Sequence, residues 1–284
     1  MEIVLQLFIN GLNLGLTYVL VALGLTIIFS IMGIVNFAHG EIYMLGAFAI
    51  FIFVTSLHAN FFFSLLITIL TIGAIGLAIE KFFFRRFHGQ HLNGLVLSLG
   101  LSILIQNIAL LIWGGDDRSF ASPFRGENFN LFGAFISVER VVSMGISVLI
   151  LILVYFFINR TKTGQAMQAV AQDAEAAALQ GIKINYISAV SFSTGCALAG
   201  LAGALLAPVF YVSPYVGTMP VLKAFIITVL GGLGSISGAL VGGILLGFID
   251  STCWFFLGTM GDMVGFIILI LVIILKPTGL LGYE

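Results

Sequence analysis

IVLQLFINGLNLGLTYVLVALGLTIIFSIMGIVNFAHG, residues 3 to 40, carries no charged side chain, and Glu2 and Glu41 bracket it. A straight helix of that length would reach roughly 57 Å, against a bilayer hydrocarbon core of about 30 Å. The run is therefore membrane sequence that must break or turn before Glu41. The break is expected at Gly33-Ile34-Val35-Asn36-Phe37-Ala38-His39-Gly40, where glycine, asparagine and histidine interrupt aliphatic residues. A second span is expected from Ile42 to about Leu57.

The rest of the 284 residues have the same character, with 60% hydrophobic residues, 8% charged ones and a mean hydropathy of +1.19. Such a composition belongs to an all-α, polytopic helical membrane protein, read as a single transmembrane domain over residues 1–284. Eleven scattered Lys and Arg cannot build a phosphate-binding patch, which excludes nucleic acid as a partner and leaves the lipid bilayer as the first one. Cys196 and Cys253 lie in apolar runs with no metal or disulfide spacing, and read as packing residues. Met1-Glu2 lacks the basic start of a signal peptide, so the first run is expected to stay as a span.

Further spans are expected over Phe61–Phe84, Leu92–Trp113 with Gln106 and Asn107 near its middle, Val141–Ile158, Tyr186–Tyr211, Val221–Gly231, Ile236–Phe256 and Met263–Leu275, the last ending at Lys276-Pro277. That makes about eight or nine transmembrane helices, depending on whether one segment only dips into the bilayer. Small residues repeat every four positions at Ala199, Gly203 and Ala207, and again from Gly238 through Gly242 and Gly243 to Gly247; this spacing lets helix backbones approach closely. Pro214 and Pro220 bracket a short turn.

Basic residues set the orientation. Lys81, Arg85 and Arg86 mark one cytoplasmic loop, and Arg160, Lys162 and Lys183 mark another two spans later, so the two assignments agree. Alternation then places the mixed-charge loop of residues 114–139 outside, Lys276 and the C-terminus inside, and the N-terminus outside.

One polar stretch interrupts this pattern: RTKTGQAMQAVAQDAEAAALQGIK, residues 160–183. Its alanines and glutamines favour two short helices, Gly164 to Ala171 and Ala174 to Gln180, capped by Thr163 and Asp173, with Gly181 where the second stops. Nearly flat and lightly charged, the surface suits docking into a groove on another protein, and an ordinary solvated loop fits the composition equally.

Two interruptions point to a pathway, Asn36 to Gly40 and Gly231-Gly232-Leu233-Gly234-Ser235, because paired broken helices can meet polar cargo inside a bilayer. Tight turns between spans are the other reading. Intramembrane charge is costly, so Glu41, Lys223, Asp250 and Asp262 need reasons. Lys223 is expected to snorkel outward and Asp262 to sit near an interface. Glu41, beside His39, either lines a polar path or caps the helix that begins at Ile42. No Gly-rich loop ends in Lys-Ser or Lys-Thr, no HExxH pair exists and no Gly-x-Ser-x-Gly elbow exists, so the sequence offers no enzyme reading.

Three stretches resemble the permease subunits of the branched-chain amino acid ABC importers, within a wider group that includes ribose-type permeases. They are Gly11-Leu-Asn-Leu-Gly15-Leu-Thr-Tyr18 running into Asn36-Phe37-Ala38-His39-Gly40-Glu41; Thr163-Gly164 through Asp173, Glu175 and Ala177 to Gly181-Ile182; and Leu230-Gly231-Gly232-Leu-Gly234-Ser235. The resemblance implies an inner-membrane permease that moves branched-chain amino acids, or a related solute such as urea or amides. It also implies a homologous second permease, two cytoplasmic ATP-binding subunits and an external solute-binding protein. ATP would be bound by the partners, with no cofactor in this chain. Residues 160–183 would be the coupling segment, through Gly164, Gln168, Asp173, Glu175, Ala177 and Gly181. Asn36, His39, Gly40, Glu41, Gly231, Gly232, Gly234 and Ser235 would lie near the translocation pathway. The family often carries Arg at the positions of Gln165 and Gln168, so charge contacts to the ATPase are fewer here. A self-contained secondary carrier or channel, with the alanine-rich stretch a mere linker, is the competing reading.

Overall fold

In the computed structural model, which describes residues 2–120, 122–131, 134–276 and 278–281, the opening run forms one 31-residue helix, α1 (Glu2–Met32). At 1.5 Å per residue it is about 46 Å long and exceeds the hydrocarbon core. Gly33 ends it at φ +64°, a conformation that a β-carbon disfavours. The other helices are α2 (His39–Thr55), α3 (Phe61–Phe82), α4 (His91–Trp113), α5 (Val138–Arg160), α6 (Lys162–Gln172), α7 (Ala174–Leu179), α8 (Ile184–Leu206), α9 (Thr218–Gly231), α10 (Ile236–Leu257) and α11 (Gly261–Leu275). The chain is a polytopic helical membrane protein.

Among the described residues, six apolar stretches are long enough to cross a bilayer, while α2 and α9 fall short at 17 and 14 residues. The last of the six, Ile236–Leu275, is not one rod. A 3-10 turn at Gly258–Met260 folds α11 back along α10, which puts Gly261 against the Cys253 backbone. Pro277, expected to end this span, lies outside the described residues.

Helices α1 and α8 form the buried centre, and small residues set how closely their neighbours pack. A methyl group at Gly247 of α10 would stand 2.3 Å from Gly15 of α1, and one at Gly203 of α8 would stand 2.1 Å from the Tyr43 carbonyl oxygen of α2. Both four-residue stripes are thus contact lines, as close approach in lipid requires. Cys196 is buried in the same core.

The bundle has two polar ends. One carries a hairpin that the sequence reading did not anticipate, β1 (Asn128–Leu131) antiparallel to β2 (Ala134–Ser137), with Asn128 opposite Ser137. Ile136 packs on Ile9, so α1 starts at this hairpin end. At the other end lie α6, α7 and the turn Phe84–Phe87, where the Phe84 ring sits 5.0 Å from that of Phe192 in α8. Both basic clusters therefore occupy one end. There, Arg85 makes a bidentate contact to buried Glu80, with Nη2 at 2.7 Å, and this hydrogen bond raises the Arg85 pKa. Half-buried His88 lies 3.8 Å from the same carboxylate, and burial holds its pKa below the ordinary histidine value.

Two sequence expectations need correction. Helix α6 starts at Lys162, and its cap is Thr161, not Thr163: Thr161 is extended, and its Oγ1 accepts from Gly164 N at 3.0 Å. Lys223 does not snorkel. It is 2% exposed, because two carboxylates lie within reach in the protein interior.

Candidate functional site

Beyond Gly33 the chain runs without regular structure from residue 33 to residue 38 and re-enters helix at His39, deep in the bundle. The His39 ring fixes the depth, with Nε2 3.0 Å from the Val21 carbonyl oxygen of α1. Gly24, also against that ring, touches Gly195 at the middle of α8. Asn36 shapes the entry: its Oδ1 accepts from Ala38 N at 3.1 Å, an Asx turn that leads into α2. From this start α2 climbs toward the hairpin end, where Phe48 stacks on Trp113 with centroids 4.3 Å apart.

A second half-length helix begins at the same place. The residues 207–217 are largely irregular, tied to the hairpin end by paired backbone hydrogen bonds between Arg118 and Val212 at 2.9 and 2.7 Å. They descend to Gly217, where a methyl group would meet the Gly40 carbonyl oxygen at 1.9 Å. Helix α9 then runs away from α2, toward the α6–α7 end, passing Thr26 at Thr228. Two half-helices thus start back to back inside the bundle. Irregular backbone at that depth is tolerated only where protein or a polar cavity surrounds it.

Gly231 to Ser235, the second break singled out from the sequence, is not part of this junction. It forms the turn between α9 and α10, with Gly232 at φ +104° and Gly234 at φ +86°, and Ser235 caps α10 by accepting from Gly238 N at 3.0 Å. Ser30 donates to the Gly234 carbonyl at 3.0 Å, and the tail lies across it through Leu280 N to Leu230 O at 2.8 Å. The segment that does meet the Asn36 to Gly40 break was read from the sequence only as a short turn bracketed by Pro214 and Pro220.

Helix α4 covers the junction with a polar stripe. Ser98, Ser102 and Gln106 recur every four residues, hence on one face. Ser98 Oγ accepts from Phe37 N at 3.2 Å, Ser102 Oγ donates to Glu41 Oε1 at 3.1 Å, and Gln106 Nε2 donates to the Pro214 carbonyl at 3.5 Å. One helix face thus touches the first break, the first turn of α2 and the lead-in to α9. The sequence reading noted only Gln106.

Lys223 of α9 anchors the other side. Its Nζ lies 2.8 Å from Asp250 Oδ2 and 3.2 Å from Asp262 Oδ1, and Tyr18 donates to Asp250 at 2.9 Å. This cluster ties the first half of α9 to α1, α10 and α11. Among the described residues, no three His, Cys, Asp or Glu side chains gather to hold a metal ion.

The alanine-rich pair at the opposite end is built rigidly. Gly164 packs on the end of α5, 2.2 Å separating a methyl there from the Phe157 carbonyl oxygen, and Gln168 Nε2 donates to Ile158 O at 3.3 Å and Asn159 Oδ1 at 3.1 Å. Asp173 caps α7 by accepting from the backbone N–H groups of Glu175 and Ala176 at 2.9 and 3.0 Å, and Gly181 closes it at φ +84°. Ala177 is buried, Glu175 is exposed, and Leu179 stands 88% exposed at the tip. A leucine so exposed at a polar end of the molecule is a feature that composition alone did not single out.

Comparison with known proteins places this architecture. Residues 7–275 match the family described as branched-chain amino acid transport system / permease component. The high-affinity branched-chain amino acid transport system permease protein LivH of Escherichia coli is 37% identical over 294 residues, covering 98% of this chain and 95% of its own. The corresponding protein BraD of Pseudomonas aeruginosa is 36% identical, with the same coverage. The ribose import permease protein RbsC of Escherichia coli is 28% identical over 167 residues, 55% of this chain and 51% of its own. No solved structure gives a significant match. A family match over nearly the whole chain, reinforced by relatives above one-third identity, shows that this chain belongs to the branched-chain amino acid transport permease family.

Proposed function

We propose that the protein is the permease subunit of an ATP-driven importer that moves branched-chain amino acids through the junction where α2 and α9 begin. The observation that carries this reading is the back-to-back start of two half-helices within a membrane bundle. Helix N-termini present unsatisfied N–H groups and the positive ends of their dipoles, which favour the carboxylate end of a substrate. Asn36, His39, Gly40 and Glu41 supply the α2 side of that junction. Gly231, Gly232, Gly234 and Ser235 act further along, as the turn that couples α9 to α10.

The engine lies elsewhere. Helices α6 and α7 dock into the cleft of one of two ATP-binding subunits, with Gly164 and Gln168 fixing the pair to α5, Asp173 and Gly181 bounding α7, and Leu179 beside Glu175 and Ala177 seating in the partner. Both basic clusters share the α6–α7 end, which supports a cytoplasmic side for residues 160–183 and an outer side for the hairpin. A homologous second permease completes the conduit, and an external solute-binding protein delivers the cargo and sets most of the selectivity.

Purification and reconstitution test this. The permease should co-elute with ATPase subunits and take up leucine into proteoliposomes only when ATP and the binding protein are supplied. Leucine uptake by the chain alone under an ion gradient would favour a secondary carrier instead.

A further inference from the structure

Among the described residues three acidic side chains are buried: Glu41 at 5% exposure, Glu80 at 0% and Asp250 at 1%. Two of them have basic partners, Arg85 for Glu80 and Lys223 for Asp250. Glu41 has none. Its Oε1 accepts from Ser102, and its Oε2 has no hydrogen-bond partner in the protein. A buried charge left unpaired is strongly unfavourable, so a carboxylate in this state needs a reason.

Position supplies part of the reason. Glu41 lies in the first turn of α2, where the helix end favours negative charge. Capping does not account for it, because the N-cap N–H of Ala38 donates to Asn36 Oδ1, and Glu41 accepts from Ser102 rather than from the backbone of the first turn. The cover over the carboxylate is the α4 face of Ser98, Ser102 and Gln106, polar and uncharged, while the neighbouring α4 residues Leu99, Ile103 and Leu104 point outward. A helix held to the junction through such a stripe can part from it without breaking an ion pair.

We infer that Glu41 is the group that receives the α-ammonium of the amino acid as it passes the junction, an inference that rests on the transport reading above. A primary ammonium carries three donors and no acceptor. Glu41 Oε2 offers an acceptor with no competing cation, and the Ser102 hydroxyl oxygen beside it offers a second. Charge-assisted hydrogen bonds of this kind are roughly twice as strong as neutral ones, which lets one side chain hold a zwitterion in transit. Urea and simple amides lack the positive charge and would gain little from Glu41.

The test uses the whole transporter, with its ATPase subunits and binding protein, in proteoliposomes, and reads tritiated leucine moved per ATP hydrolysed. Glu41→Gln should lower that ratio at least tenfold, Glu41→Asp should recover part of it, and Ser102→Ala should lower it several-fold. A Glu41→Gln transporter within twofold of the wild-type ratio overturns the inference. So does a Glu41→Gln chain that inserts but no longer assembles with its partners, because Glu41 would then be holding the fold. Absence of ATP-dependent leucine uptake by the wild-type transporter overturns the transport reading, and this inference with it.

Discussion

Lys223 is the residue on which the most depends at the smallest scale. It meets Asp250 and Asp262 in the interior, so Lys223→Met leaves two carboxylates facing each other without a cation. Breaking a buried ion pair from one side costs about 3–5 kcal/mol, and the variant should show a sharply lower melting temperature in detergent or fail to survive extraction. An unchanged melting temperature would show that the cluster does not anchor α9. The sequence made Lys223 visible as an intramembrane charge but not its partners, because residues 223, 250 and 262 meet only through the packing of α9, α10 and α11. His88 makes a second prediction at this scale. Burial lowers its pKa in the folded protein below the unfolded value of 6.5, so the unfolded chain binds the proton more readily. Its contribution to stability is therefore intact above that value and is lost as pH falls from 6.5 toward the folded pKa. Melting temperature should fall between about pH 7.5 and pH 5.5, and should fall less in His88→Gln. Equal slopes in the two proteins would remove His88 from the account.

At the scale of elements, α7 carries the sharpest expectation. A leucine gains roughly 1.5–3 kcal/mol when fully buried, and Leu179 stands free at the tip of a capped six-residue helix. Leu179→Asp should reduce co-purifying ATPase subunits about tenfold or more while leaving membrane insertion intact; full recovery of the partners would show that α7 is a linker. Asp173 and Gly181 were legible as the ends of this helix because a cap and a positive-φ glycine are local chemistry. Thr161 was less so, since Thr163 is an equally good cap by residue type and only the end of α5 decides between them. The hairpin was missed although Asn128-Phe129-Asn130-Leu131 alternates polar and apolar residues, because four residues are too short a run to separate from a loop.

Across the whole molecule, the apolar runs fixed the helices to within a few residues, because long uncharged segments have one stable solution in lipid. The junction was half legible. Asn36 to Gly40 interrupts an apolar run and declares itself, whereas the lead-in to α9 looks like an ordinary proline-rich turn until Gly217 is seen against Gly40. What this one chain does not display is the proposed division between a conduit and its engine, in which α6 and α7 would reach partner subunits. A photo-crosslinking amino acid placed at position 179, in membranes that contain the assembled transporter, tests this most directly. The account predicts a covalent adduct between this chain and an ATP-binding subunit. Adducts only with lipid or with the external binding protein would contradict it.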